Sequence, residues 1–369
     1  MNLDTTARAS AQAIDRSATR VDPAAGLDDL LRRHRHQPLQ RAAAAAMALV
    51  VVAVAIWAGV VLRGPTPIQP TLGPVTRIRV GSVPVSVAVT PGAAWVLNSG
   101  DSTISRIDPR TGRVQSSFLV SGPVGPRGGL AFATVAEGRL LVVHASGWDS
   151  SAISVIDPST GRTLNTFGFG GTALSSLGTP GNLAVGAGAV WAAVHGEDEV
   201  QGYDPATGEL LDRFPLPEPT ALAVDGQTVW VASVDGRLRS IDTDTGAVRV
   251  RATTGLVTRI QVGQGGMWLM TFDGKVLRLD RRTGKIVARV PGSFRAADLA
   301  VGAEGVWVYD QHQGAVLRID PSTNRVARTT PVISQPQVEL NARVLTVGGG
   351  AVWVVDKAGE ALVRVDPNR

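Results

Sequence analysis

The chain has 369 residues, 44% hydrophobic, with 42 glycines, 22 prolines and no cysteine, so disulfides, thiolate nucleophiles and cysteine-held metals are excluded. Its net charge is +5, and the basic residues beyond position 63 are scattered singly rather than in the stripe a nucleic-acid footprint requires. No nucleic-acid partner is expected.

Residues 1–41 hold seven Arg against five Asp. In "DPAAGLDDLLRRHRHQ", Asp28 and Asp29 precede Arg32 and Arg33 at i,i+4, the pattern of a short charged helix attracted to anionic lipid. Residues 42–62, "AAAAAMALVVVAVAIWAGVVL", carry no charge over 21 positions. At ~1.5 Å per residue they make a helix of roughly 31 Å, which matches a hydrocarbon core of about 30 Å. A cleaved signal peptide would show a shorter apolar core of about 7–15 residues close to the N-terminus. With 41 residues ahead of it, the segment reads as an uncleaved signal anchor, a single transmembrane helix. Arg32, Arg33, Arg35 and Arg41 flank one side and Arg63 the other, so the N-terminus is expected in the cytoplasm and the rest outside the cell membrane. Residues 63–74, "RGPTPIQPTLGP", read as a stiff Pro-rich linker.

From residue 75 the chain repeats. A small or Gly-rich turn leads into a Trp-led apolar run at Trp95, Trp191, Trp230, Trp268, Trp307 and Trp353. Each Trp is followed 12 or 13 residues later by a turn Asp: Asp108, Asp204, Asp242, Asp280, Asp320 and Asp366. A seventh, degenerate copy has leucine in place of Trp and ends at Asp157. Each unit holds four short apolar runs between Gly, Asp or Pro turns, the signature of a β-propeller blade. The expectation is an all-β, seven-bladed propeller over 75–369. The last copy ends after its third strand, and "VTRIRVG" (75–81) is a lone strand, so the N-terminal strand should close the last blade and cover its edge. The Trp rings are expected to pack between blades.

The turn "SRIDPRTGRV" and its variants lack the late bidentate Glu and the alternating oxygens of a calcium loop. A tight turn explains them: Asp accepts backbone N–H bonds, Pro presets φ, and Gly, or Asn324 in "IDPSTNRV", takes the left-handed position. "VGGGAVWV" reads as strand–turn–strand, because no helix follows to hold a phosphate.

Over residues 75–369 the recurring "VWV…I.R.DP.TG" pattern resembles the seven-bladed propellers of the YVTN-repeat and virginiamycin B (streptogramin) lyase-like group. That resemblance implies the propeller fold. For the lyases themselves it implies a catalytic His beside Pro at innermost-strand starts and a Glu just past a Trp. Here the starts "PEPTALAV", "LVTRIQV", "RAADLAV" and "ARVLTV" carry no His, and Asp310 stands where that Glu would be.

In such a ring one face carries the uniform Gly-rich and "DPxTG" turns. The other carries the blade connections and the corners after the second strands, with variable stretches at 121–129, 169–182 and 331–343. The polar residues gathered there give the candidate ligand-binding set His144, Trp148, His195, Glu197, Asp310 and His312. His144 and His195 follow second strands of neighbouring blades and could converge at the mouth. The functional expectation is a non-catalytic, membrane-tethered extracytoplasmic module that binds or senses a small ligand or an envelope protein without a cofactor. One alternative is a metal-assisted lyase or hydrolase using His144, His195 and Glu197, with a divalent metal as its only cofactor; another is a cell-envelope assembly scaffold.

Overall fold

The computed structural model describes residues 74–120, 129–136, 138–145, 151–169, 183–292, 295–334 and 343–369. The expected tail, the transmembrane helix 42–62 and nearly all of the 63–74 linker lie outside the described residues. Among the described residues no helix is long and apolar enough to cross a membrane.

Strand β1 (Val75–Arg79) precedes the first full blade, which is β2 (Pro84–Thr90), β3 (Ala93–Asn98), β4 (Thr103–Ile107) and β5 (Val114–Leu119). Blade 2 is β6 (Gly129–Ala136), β7 (Arg139–Ala145), β8 (Ser151–Ile156) and β9 (Thr163–Phe169). Blade 3 is β10 (Leu183–Gly186), β11 (Ala189–Val194), β12 (Glu199–Tyr203) and β13 (Leu210–Pro215). Blade 4 is β14 (Pro219–Asp225), β15 (Thr228–Ser233), β16 (Arg237–Asp242) and β17 (Val248–Thr253). Blade 5 is β18 (Val257–Gly263), β19 (Gly266–Thr271), β20 (Val276–Leu279) and β21 (Ile286–Arg289). Blade 6 is β22 (Ala296–Gly302), β23 (Gly305–Asp310), β24 (Ala315–Asp320) and β25 (Arg325–Pro331). Blade 7 is β26 (Leu345–Gly348), β27 (Ala351–Asp356) and β28 (Ala361–Val365).

Every blade is an antiparallel sheet of four strands in sequence order, except that β1 supplies the fourth strand of blade 7. β1 pairs β28 from Val75↔Val365 to Arg79↔Ala361, as the sequence leads one to expect. Each innermost strand packs on the next, and β26 on β2, so the ring closes. The seven hydrophobic clusters among the described residues each span one seam between adjacent blades. That is why β3, β11, β19, β23 and β27 are buried at every residue, whereas outer strands such as β25 alternate toward solvent.

The Trp residues are structural. All six repeat Trp rings are buried in the seams. Indole N–H groups cross the turn before them, Trp191 to the Gly186 carbonyl (3.0 Å), Trp268 to Gly263 (3.2 Å) and Trp353 to Gly348 (2.9 Å). An Arg from the third strand lies over several rings, Arg106 at 5.6 Å from the Trp95 centroid and Arg278 at 5.3 Å from that of Trp268. The Asp turns behave as expected too. Asp204 Oδ1 accepts the N–H groups of Ala206 (2.7 Å) and Thr207 (2.8 Å), and Gly208 closes the turn at φ 74°. In blade 6, Asn324 takes that conformation at φ 55°.

Candidate functional site

Three residues past each repeat Trp, and past Leu141 in the degenerate blade 2, a buried side chain stands at or next to the end of the second strand: Asn98, His144, Ser233, Thr271, Asp310 and Asp356 in six blades and Val194 in blade 3. Buried polar groups usually find partners, and most of these bond within their own blade. Asn98 Nδ2 donates to Thr103 Oγ1 (3.0 Å) and Ser105 Oγ (2.9 Å). Ser233 Oγ accepts from Arg239 (3.0 Å), and Asp356 accepts the Gly359 N–H (3.0 Å) and pairs with Arg77.

Two candidate residues from the sequence fall in this series. His144 is fully buried in blade 2, its Nε2 2.8 Å from Ser154 Oγ, which is in turn 3.0 Å from Thr166 Oγ1. Burial depresses its pKa, keeping the ring neutral. Asp310 is equally buried; its Oδ1 accepts the His312 N–H (2.9 Å), and its Oδ2 accepts from Gln313 Nε2 (2.8 Å). Both side chains are therefore fully buried rather than exposed on the variable face.

His195 and Glu197 form a 3-10 turn on the corner of blade 3, and Glu197 is exposed. Glu197 Oε2 accepts from Gln201 Nε2 (2.8 Å). Burial, with the Glu197 charge next, pushes the neighbouring Tyr203 hydroxyl up to about 12. His312 is exposed on the corner of blade 6, and Trp148 lies outside the described residues. The structure thus brings His195 and Glu197 together, leaves His144 inside the adjacent blade, and sets Asp310 and His312 beyond the intervening blades 4 and 5. Among the described residues no group of three or more acidic or His side chains is placed to hold a metal.

Two features lie outside the candidate set. Val234 and Phe272 occupy the same corner position in adjacent blades 4 and 5 and are 39% and 44% exposed. Their N–H groups are held alike, by the carbonyls of Glu218 (3.0 Å) and Leu256 (2.8 Å).

The second feature lies on the axis. Bulges at the starts of β18 and β22 shift the register before Arg259 and Asp298. These occupy the innermost-strand position held by Ser86, Phe132 and Ala221 in other blades. Arg259 Nε and Nη2 donate to Asp298 Oδ1 (3.0 and 2.8 Å), while Asp298 also accepts the Leu299 and Leu345 N–H groups (2.8 and 2.9 Å). One buried carboxylate therefore ties blades 5, 6 and 7. From just before β26, Arg343 crosses the channel; its Nη2 donates to the Leu183 carbonyl (2.9 Å) and its guanidinium lies 4.7 Å over Phe132. Burial, then the neighbouring Arg259, push the Arg343 pKa down to about 9, against the pull of Asp298. Two adjoining cavities of about 200 and 230 Å³ share Thr134, Val135, Arg259, Gln261 and Arg343, and between them touch the innermost strands of all seven blades. The signal was present in "LVTRIQV", "RAADLAV" and "ARVLTV", where Arg259, Asp298 and Arg343 stand in or just before an innermost strand otherwise free of charge.

Comparison with known proteins adds a partial family match. Residues 149–291 match the family model described as "Outer membrane protein assembly factor BamB" (PQQ_2). No curated protein matches the chain. Among solved structures, the chain is similar to BamB from Moraxella catarrhalis, with 16% identity over 77% of this chain and 84% of that one and a TM-score of 0.50. It is similar to the computationally designed Ika8 protein, with 17% identity over 78% of this chain and 97% of that one and a TM-score of 0.54. It also matches a chain of the Mitotic Checkpoint Complex, with 11% identity over 82% of this chain and 95% of that one and a TM-score of 0.58. Likeness at these identities speaks for the propeller fold alone.

Proposed function

We propose that this chain is a non-catalytic, protein-binding propeller that serves as an assembly scaffold of the cell envelope. In this reading residues 42–62 anchor it in the cell membrane, the 1–41 tail stays in the cytoplasm, and the propeller stands outside. The observation that carries the reading is the match of residues 149–291 to the BamB family model, which falls on blades 2 to 5. Two features of the geometry agree with it. Among the described residues, His144 lies inside its blade against Ser154 and Asp310 holds the corner of blade 6, so neither side chain adds to an acid–base set on the variable face. In their place Val234 and Phe272 present apolar surface on neighbouring corners, within the stretch that matches the family.

Charged substitutions there test the proposal. Val234→Asp and Phe272→Asp lie on exposed corners and should leave the fold intact. The full chain carrying either should lose a defined envelope protein that co-purifies with the unaltered chain. Substitution of Gln227, exposed on the opposite face, should leave that association unchanged. Equal loss from both faces, or no effect from the Val234 and Phe272 variants, contradicts the reading.

A further inference from the structure

The residues that follow the second strands of blades 4, 5 and 6 form a row on the variable face: Val234, Phe272 and Gln311. The N–H of Gln311 is held as those of its two neighbours are, here by the Arg295 carbonyl (3.3 Å). Val234 and Phe272 are exposed, but Gln311 is only 4% exposed. It lines a cleft between the corners of blades 5 and 6, together with Met270, Phe272, Arg295, Ala296 and Ala297. Gly274, at φ 79°, lets the corner of blade 5 press against the start of blade 6, where its carbonyl accepts the Ala296 N–H (3.3 Å). The Thr258 hydroxyl in this cleft donates to the Met270 carbonyl (3.4 Å), and the Thr271 hydroxyl donates to Asp273. Gln311 Oε1 is buried and accepts no hydrogen bond among the described residues. A buried acceptor without a donor is costly, so this one calls for a donor from outside the chain.

We infer that this cleft receives a tyrosine side chain of the envelope protein, its hydroxyl donating to Gln311 Oε1 and its ring lying against Phe272. The inference rests on the scaffold reading, whose partner it describes. The cleft has a volume of about 20 Å³, room for a group the size of one water, so only the tip of a side chain enters. A carboxylate or carbonyl tip would set acceptor against acceptor. An ammonium tip would meet Arg295 and Lys275 at the rim, where Asp273 is already paired with Lys275 (2.6 Å). An aliphatic tip would seal Oε1 without a partner. A neutral donor remains, and the exposed Phe272 beside it favours an aromatic body. Tryptophan carries its N–H on the flank of a wider ring, which an opening of this size does not admit. Tyrosine joins an apolar ring to a hydroxyl at its far end.

The test is saturation-transfer NMR on the full chain in detergent with N-acetyl-tyrosinamide and N-acetyl-phenylalaninamide, with the detergent alone as blank. The tyrosine amide is expected to bind about five- to tenfold more tightly than the phenylalanine amide, the effect of one hydrogen bond to a buried acceptor. Gln311→Met keeps the length of the side chain and removes the acceptor. It should bring the two amides to equal affinity while melting at or above the unaltered chain. Equal affinity in the unaltered chain would mean that water serves the cleft, and would overturn the inference. A tyrosine preference that survives in a folded Gln311→Met variant would overturn it as well. So would a clear fall in the melting temperature of that variant, which would show Oε1 already satisfied in the free chain. Neither amide needs the envelope protein, so the two proposals fail separately. Co-purification without a tyrosine preference removes the cleft assignment alone, and a tyrosine preference without a co-purifying envelope protein removes the scaffold reading.

Discussion

Arg364, in the third strand of the last blade, donates through Nε to the carbonyl of Pro109 in the turn of the first blade, 3.2 Å away. The same clasp runs from Arg318 to Pro367 (3.3 Å) and from Arg278 to Pro321, each time from one blade to the next. The Arg and the Pro of the repeated "R.DP" are thus two halves of a joint between neighbours, and the last copy fastens the ring. Replacing Arg364 by Met should keep the stem over the seam while removing a charge-assisted bond, at a cost of about 1.5 kcal/mol. Chemical denaturation of the full chain measures it. Loss of the same size from the exposed Arg110, which makes no such contact across a seam, would deny the clasp a special role.

Closure also depends on β1. Ile78 is buried between β1 and the clusters of blades 7 and 1. Ile78→Ala should cost about 2–4 kcal/mol. Deleting 74–81 leaves β28 as an open edge, so the deletion should abolish cooperative melting and promote aggregation. A deletion variant that melts like the full chain would show that β1 is dispensable.

The pair Arg259–Asp298 is 3% and 1% exposed. Breaking such a pair from one side strands a buried charge, so Arg259→Met or Asp298→Asn alone should cost about 3–5 kcal/mol. The double variant should cost less than the sum by at least about 1 kcal/mol, because neither charge is then left alone. Strict additivity in denaturation experiments would show that the two side chains act independently.

His144 gives a pH dependence with a definite sign. Burial holds its folded pKa below the ordinary value of 6.5, so the unfolded chain takes up the proton first. Its contribution to stability is complete above pH 6.5 and is lost as pH falls from there toward the depressed folded pKa. Stability measured across that window should fall more for the unaltered chain than for His144→Gln. A variant with the same slope would place the titrating group elsewhere.

Much of this molecule was legible as sequence because a repeat reports its own geometry. The Trp-to-Asp spacing fixed seven blades, and the missing fourth strand after Val365 pointed to Val75–Arg79 as its replacement. Side-chain direction was harder to read. His144 and Asp310 are chemically inviting, but their place at the end of a buried second strand turns them inward to Ser154 and to the His312 N–H. Nothing in a residue's identity distinguishes a corner that faces solvent from one that faces the seam. Arg259, Asp298 and Arg343 sit far apart in the chain and meet only because the ring carries blades 5, 6 and 7 to a common axis.

The most direct test of the scaffold reading is photo-crosslinking in intact membranes from single positions on the two faces, Phe272 and His312 on the variable face against Gln227 and Ala303 on the turn face. The account predicts that one envelope protein is captured from Phe272 and that capture is absent from Gln227 and Ala303. Capture from the turn face alone, or no protein captured from either face, would contradict it.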